Sequence, residues 1–144
     1  MQKDVDYFSV FFDTYHDKQN GFQFTVTSAN VQTDARLGPN LGNANGGFGP
    51  LGDNTWDAVW ESKVQIQNDG WTVEMRIPFI SLRFAKKDLQ DWGIQFQRQI
   101  IRLNETSYWN DVKPQVNGFV NQFGLMQGLE NLQPPLRLSF SPYV

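Results

Sequence analysis

The sequence of 144 residues contains no cysteine and a single histidine, His16. The absence of cysteine excludes disulfide bonds and thiolate metal centres, although it does not decide the cellular compartment. One histidine is too few for a histidine-based metal cluster, and a catalytic pair of a nucleophile and a histidine base would have to use His16. Catalysis, if there were any, would therefore depend mainly on carboxylates.

Charge and long apolar runs are also scarce. Charged residues make up 19% of the chain, and the net charge of −3 is spread along it. A nucleic-acid-binding protein is expected to show a basic patch, and none is visible here. No apolar run is long enough to span a bilayer, and the start of the chain lacks the apolar region of a secretory signal. We expect no nucleic-acid partner and no transmembrane segment in this chain; if the protein is exported, its signal lies upstream of Met1.

Aromatic residues are abundant, at 15% of the chain, with twelve Phe and five Trp. A chain of this length can form one domain with a proper hydrophobic core. We therefore expect a single domain over residues 1–144. Its glycine-rich stretch, residues 38–53, holds six of the twelve glycines and two prolines. It is either a flexible surface loop or a binding loop that a ligand or ion orders.

Short runs of alternating apolar and polar residues predict seven or eight β-strands separated by turn formers. The clearest run is residues 70–77, which Pro78 ends because proline has no N–H to donate. No long amphipathic helix is visible, so the pattern predicts an all-β, antiparallel β-sandwich. The other predicted strands cover residues 7–15, 22–27, 31–35, 56–67, 92–101, 119–126 and 136–140.

The turn at residues 68–70, Asn-Asp-Gly, predicts a hairpin. A two-residue loop at Asp69-Gly70 would place Val64 opposite Met75, which keeps the apolar side chains of both strands on one face. It would also place Lys63 opposite Arg76. Farther along the chain, Gly124 interrupts a predicted strand, which indicates a bulge or a close approach of another group.

Three stretches resemble a known family and occur in the same order as in that family. They are residues 10–35, 56–84 and 92–109, and the tail FVNQFGLMQGLENLQPPLRLSFSPY follows them. They resemble family-nine carbohydrate-binding modules. They are most similar to the domain that precedes the β-barrel in a bacterial outer-membrane protein family of unknown function. The resemblance implies a jelly-roll-like sandwich, an exported location (periplasmic, cell-surface or outer-membrane associated), a glycan or oligosaccharide ligand and a structural calcium ion.

Members of that family normally have further strands before the equivalent of Tyr7. The resemblance therefore implies that the chain is a fragment, or that its sandwich is incomplete without another chain or segment. In sugar-binding members, two Trp side chains clamp one sugar end, and the position of Trp109 resembles one of these clamps. The barrel-linked branch implies a second partner, namely the β-barrel or another domain of the same protein.

A pyranose presents an apolar face of C–H groups and a rim of hydroxyls, so its site needs an aromatic plate with planar polar groups at the edge. The candidate ligand-binding residues are Trp109, Tyr108, Gln95, Gln97, Arg102 and Trp56. Two of these assignments have an alternative interpretation: Trp109 as a lid over the end of a sheet, and the glutamine row as a solvated sheet face. Trp71 is expected in the core, whereas Arg98, in phase with apolar residues, is expected in an internal ion pair or, alternatively, at the ligand.

Asp13, Asp17 and Asn20 cluster at one predicted turn, with Asp34 as a further candidate nearby. Calcium takes several such oxygen ligands from one loop. Aspartate and asparagine are also ordinary turn residues, so the same cluster is explained without an ion. The sequence therefore predicts a candidate calcium site here and leaves the simpler turn as the alternative.

Glycoside cleavage needs two facing carboxylates. Glu61 and Glu74 lie too far apart along the proposed hairpin to face one bond, and Glu105 has no evident partner. We therefore expect a non-enzymatic domain that binds carbohydrate by aromatic stacking and polar contacts. The alternative is a structural or protein-interaction domain attached to an outer-membrane β-barrel, and a hydrolase ranks below both.

Overall fold

A computed structural model describes residues 5–38 and 58–134. These residues form eight β-strands and two short 3₁₀ turns, so the all-β prediction is confirmed. The strands are β1 (Tyr7–Asp13), β2 (Gly21–Thr27), β3 (Gln32–Leu37), β4 (Glu61–Gln67), β5 (Gly70–Arg76), β6 (Leu89–Ile100), β7 (Glu105–Tyr108) and β8 (Gly124–Glu130), and the turns are Phe79–Ser81 and Val120–Gln122. Within this part of the chain, no helix is long and apolar enough to cross a membrane.

Six strands form one antiparallel sheet in the order β3-β2-β1-β6, with β7 and β8 both beyond β6. The twelve-residue strand β6 is long enough to serve two partners. Its first half pairs with β8, as Ile94 does with Gly124. Its second half pairs with β7, as Gln97 does with Tyr108. Strand β6 is therefore central, and its side chains are fixed from both sides.

The two faces of this sheet differ in chemistry. We call the face that carries Val10, Phe24 and Trp92 the core face, since these side chains belong to the main buried cluster. The opposite face carries Ser9 and Thr25 together with three glutamines of β6, and we call it the polar face; the glutamines are Gln95, Gln97 and Gln99. Burying a large apolar side chain contributes about 1.5–3 kcal/mol, so the core face supplies most of the stabilising free energy.

The β4–β5 hairpin forms a second antiparallel sheet that packs on the core face. Its side chains Val64, Val73 and Met75 contact the buried cluster. Side chains also join β4 to the edge strand β3. The Gln32 side-chain amide donates to the Ser62 hydroxyl at 2.7 Å. The indole of Trp60, directly before β4, donates to the Asp34 carboxylate at 2.9 Å, which places Asp34 between the sheets.

The hairpin register predicted from the sequence is wrong by two residues. Val64 lies opposite Val73, and Lys63 lies opposite Glu74. The two loop residues are therefore 68 and 69. A shift of two keeps every side chain on its face, so the apolar pattern could not decide between the registers. Cross-strand charge does decide, because the observed register pairs Lys63 with a carboxylate instead of with Arg76.

Other strand boundaries also differ from the prediction. Residues 102–114, expected as a loop, contain β7, which extends the sheet beside β6. The strand expected at 119–126 begins instead with a 3₁₀ turn and continues to Glu130. The glycine-rich stretch, apart from Gly38, and the strand expected at 136–140 lie outside the described residues.

Candidate functional site

Trp109 follows β7 and lies on the core-face side of the sheet. Its side chain is 60% exposed and meets the ring of Phe96 edge-on, with 5.8 Å between the ring centroids. Its indole also covers Gly124 so closely that a Cβ atom there would collide with it. The close approach predicted at Gly124 is therefore confirmed, and the approaching group is Trp109.

Tyr108, Gln95 and Gln97 lie on the polar face. Gln97 Nε2 donates to the Tyr108 hydroxyl at 3.3 Å. The Gln95 side chain is fully buried, and it both donates to the Asn110 carbonyl at 2.7 Å and accepts from the Asn110 N–H at 2.8 Å. These two amides therefore bond the end of β7 and the residues just after it, and they are not free to contact a ligand.

The structure therefore divides the predicted ligand-binding residues. Trp109 lies on one side of the sheet, whereas Tyr108, Gln95 and Gln97 lie on the other. Arg102 is exposed in the turn between β6 and β7. Trp56 lies outside the described residues, so its place relative to the others stays a prediction.

The interpretation of the glutamine row as a solvated face is wrong. Gln95, Gln97 and Gln99 are all buried. Part of the cover comes from the segment after β7, where Phe119 and Phe123 pack on Phe11 of the polar face. Period-two alternation shows only that two faces differ, and a buried polar face gives the same pattern as a wet one.

The predicted calcium ligands form a hydrogen-bonded turn. Asp13 is 1% exposed, and its carboxylate accepts the backbone N–H groups of Asp17 and Lys18. Asp17 accepts the N–H groups of Gln19 and Asn20, and the Asn20 side-chain amide as well. The carboxylates thus satisfy backbone donors that would otherwise be unpaired in the turn.

The pKa values of the two carboxyl groups are shifted in opposite directions. Burial raises the pKa of Asp13, and the nearby negative charge of Asp17 adds to the effect against the backbone hydrogen bonds from Lys18 and Asp17. Desolvation by itself would raise the pKa of Asp17, but hydrogen bonds from Asn20 and Gln19 hold that pKa below its ordinary value. Asp13 is therefore the first of the two carboxyl groups to take up a proton as the pH falls.

Calcium would need several converging oxygen ligands. Over residues 5–38 and 58–134, no group of three acidic or histidine side chains is placed to hold a metal ion. Asp34 is engaged by Trp60 instead of joining the turn. The carboxylates of Asp13 and Asp17 would supply oxygens, but the turn closes without an ion, and calcium binding stays a prediction.

A cleft of about 420 Å³ opens between the tip of the β4–β5 hairpin and the core face of the sheet. Its lining residues are Phe8, Gln67, Asp69, Gly70, Trp71, Val73 and Arg98. Phe8, Trp71 and Val73 are partly buried, whereas Gln67, Asp69 and Arg98 are exposed. The cleft therefore combines an apolar lining with polar groups at its rim, as small-molecule sites do.

Strand pairing explains why these residues meet. Phe8 and Arg98 are direct neighbours on β1 and β6. Gln67 and Gly70 close the end of the hairpin, which overhangs this row of the sheet. The ring of Phe8 stacks on Phe96, with 5.9 Å between centroids. Because Trp109 contacts the same Phe96 ring, aromatic side chains continue from the cleft toward Trp109.

From the sequence, Trp71 is expected in the core and Arg98 mainly in an internal ion pair. In the part of the chain that the structure describes, Arg98 is exposed and makes no ion pair within 4.0 Å. Both residues are on the expected face, but they lie at its open end, where the hairpin tip extends past the buried cluster. The available signals were the position of Trp71 directly after a tight turn and the phase of Arg98 with Phe96.

No protein-family model, curated protein or solved structure matches the chain. The resemblance to carbohydrate-binding modules therefore stays a prediction, and the functional argument rests on the chemistry of the cleft.

Proposed function

We propose that this domain binds carbohydrate without cleaving it, and that the cleft between the hairpin tip and the sheet holds the sugar. One observation carries the proposal: the cleft combines two partly exposed aromatic rings, Phe8 and Trp71, with a guanidinium, a carboxylate and an amide. Its volume of about 420 Å³ lies within the range of about 300–1,000 Å³ that is usual for small-molecule sites.

Each type of group has a counterpart on a sugar. The indole of Trp71 and the ring of Phe8 provide faces on which the C–H surface of a pyranose can pack. Arg98 offers only donors, Asp69 only acceptors, and Gln67 both. A hydroxyl both donates and accepts, so this set can bind a hydroxylated ring in a defined orientation.

The proposal is non-catalytic because the lining supplies one carboxylate. Asp69 is the acidic residue among the seven that line the cleft. Acid and base, or acid and nucleophile, require two carboxylates on opposite sides of the glycosidic bond. Binding without bond cleavage is therefore the function that the lining residues support best.

The direct test is calorimetric titration against a panel of soluble glycans, with and without calcium, with tryptophan fluorescence as a second readout. We expect saturable binding that Trp71→Ala weakens by about tenfold or more, since a stacked aromatic is usually a dominant contact. Trp109→Ala is the matched control, because it removes an indole outside the cleft lining. A flat response across the panel, or equal losses in both variants, would contradict the proposed site.

A second candidate role is that of a structural or protein-interaction domain, for which the partner would be a β-barrel or another domain of the same protein. The observation in its favour is a group of exposed apolar side chains, with Val59 84% and Ile80 62% exposed. The Ser81 hydroxyl bonds the Val59 carbonyl at 2.8 Å and keeps the two segments together. Contiguous exposed apolar surface often marks an interaction site.

The two roles can be tested separately in one protein. Val59→Ser with Ile80→Ser should leave sugar titrations unchanged and should reduce binding of a hydrophobic dye to the folded domain. An exported location, whether periplasmic, cell-surface or outer-membrane associated, belongs to both roles and is supported by the family resemblance alone.

A further inference from the structure

We propose that the cleft selects sugars that carry an anionic group, either a carboxylate or a sulfate ester, and that Arg98 binds this group. The inference rests on the proposed carbohydrate-binding function and specifies its ligand class. The aromatic lining of the cleft supports sugar binding in general, whereas the preference for an anionic sugar depends on the charge and position of Arg98.

Arg98 has no ion-pair partner among the residues that the structure describes. Within residues 5–38 and 58–134, no carboxylate lies within 4.0 Å of its guanidinium, although Asp69 lines the same cleft. The neighbouring side chains on its own row are Phe8 of β1 and Ser107 of β7, and neither carries a charge. A nearby carboxylate, that of Glu105 on β7, accepts a hydrogen bond from the Ser107 hydroxyl at 3.4 Å and lies more than 4.0 Å from the Arg98 guanidinium, which therefore stays available to a ligand.

The position of Arg98 is fixed by the sheet. Strand β6 is hydrogen-bonded to β1 on one side and to β7 on the other at this residue. An arginine whose backbone lies in a central strand loses less freedom on binding than one in a flexible loop. Its planar guanidinium also matches the two oxygens of a carboxylate or sulfate in a bidentate pair, which a lysine cannot do.

Asp69 makes a sugar more suitable than a simple anion. Its carboxylate lies at the hairpin tip, on the other wall of the cleft from Arg98, and repels any group of like charge that comes near it. A ligand that satisfies both walls therefore carries its anionic group at one end and hydroxyls at the other. A sugar acid or a sugar sulfate has this arrangement, whereas acetate and inorganic sulfate do not.

The test compares matched ligands on the intact chain: glucose against glucuronate, and glucose against glucose 6-sulfate, with acetate and inorganic sulfate as plain anions. We expect the anionic sugars to bind about tenfold more tightly than glucose, a difference that added salt reduces. Arg98→Gln should abolish this preference: the anionic sugars should lose more affinity than glucose, which loses only a hydrogen-bond donor. Arg98→Lys should retain only part of it.

Arg102→Gln is the matched control, since it removes an exposed arginine that does not line the cleft; it should leave the preference intact. Asp69→Asn should increase the affinity for both anionic sugars. Equal affinity for neutral and anionic sugars, or plain anions that bind as tightly as the sugars, would overturn the inference while the proposed sugar binding stands. Failure of every sugar, neutral or anionic, to bind would instead contradict the proposed function itself.

Discussion

The indole of Trp109 lies directly on the backbone of Gly124 and leaves no space for a side chain there. The contact joins the loop after β7 to the first residue of β8, along the edge of β6 with which both strands pair. It also explains why Trp109 can be 60% exposed and still have a defined position.

Gly124→Ala tests this contact. The new methyl group must displace the indole, so we expect a loss of about 1–3 kcal/mol in the free energy of unfolding, measured by urea denaturation. Tryptophan fluorescence of the folded variant should change as well. Gly70→Ala is the control, because a Cβ atom there meets nothing within 4 Å. If both variants are equally stable, the contact between Trp109 and Gly124 is wrong.

A charge reversal in the hairpin tests its register. In the structure Lys63 lies opposite Glu74, so Lys63→Glu should lower the free energy of unfolding by about 0.2–1 kcal/mol. The double change Lys63→Glu with Glu74→Lys should restore stability. In the register expected from the sequence, the new glutamate would face Arg76, and the single variant would be more stable than the original. The sign of the change therefore distinguishes the two registers.

The buried amide of Gln95 should matter for folding independently of any ligand. Gln95→Ala leaves the N–H and the carbonyl of Asn110 without their side-chain partner, and each unsatisfied buried group costs about 1–3 kcal/mol. We expect chemical denaturation to show a loss of this size. Gln65→Ala, at an exposed position of β4, is the control and should change stability by less than about 0.5 kcal/mol. A similar small effect at Gln95 would contradict its structural role.

The pKa shifts at the β1–β2 turn predict opposite pH dependences. Asp13 has a raised pKa, so its protonated form is favoured in the folded state. Its contribution to stability is complete below the pKa of the unfolded state and is lost as the pH rises through the pKa of the folded state. Asp17 has a lowered pKa, so its contribution is present above the unfolded value and is lost as pH falls through the folded value.

Carbon-13 NMR titration of the carboxyl groups measures both shifts directly. Asp13 should titrate at higher pH than Asp17. Protonation of Asp17 lowers stability as the pH falls, and Asp17→Asn should remove this part of the pH dependence. The same change should lower the pKa of Asp13, because a nearby negative charge is removed. If the two residues titrate in the reverse order, the proposed hydrogen-bond pattern of the turn is wrong.

Much of the fold could be predicted from the alternation of apolar and polar residues. The strands around Val10, Phe24, Val73 and Phe96 were all expected, because period two is a local property of the sequence. The pairing of Lys63 with Glu74 was not, because a shift of two residues preserves the same apolar face. Strand β7 was missed because its residues alternate without a strongly apolar side, and only its pairing with β6 makes it a strand.

The candidate site was harder to predict than the fold. Trp109 and Tyr108 are adjacent in sequence, yet adjacent residues of an extended chain point to opposite faces, and this separated them in space. The cleft depends on how far the hairpin tip extends over Phe8 and Arg98, which is a property of packing between two sheets. No local pattern in the sequence encodes that distance, so Trp71 and Arg98 could be assigned only to a face.

Sugar binding in the cleft is tested most directly by NMR titration of the nitrogen-15-labelled domain with glycans. The signals to monitor are the indole N–H groups of Trp71 and Trp109 and the backbone N–H of Arg98. If sugar binds in the cleft, the signals should shift saturably, most at Trp71 and Arg98 on the two walls of the cleft and less at Trp109. Unchanged spectra across the panel, or shifts confined to residues outside the cleft, would contradict sugar binding in the cleft.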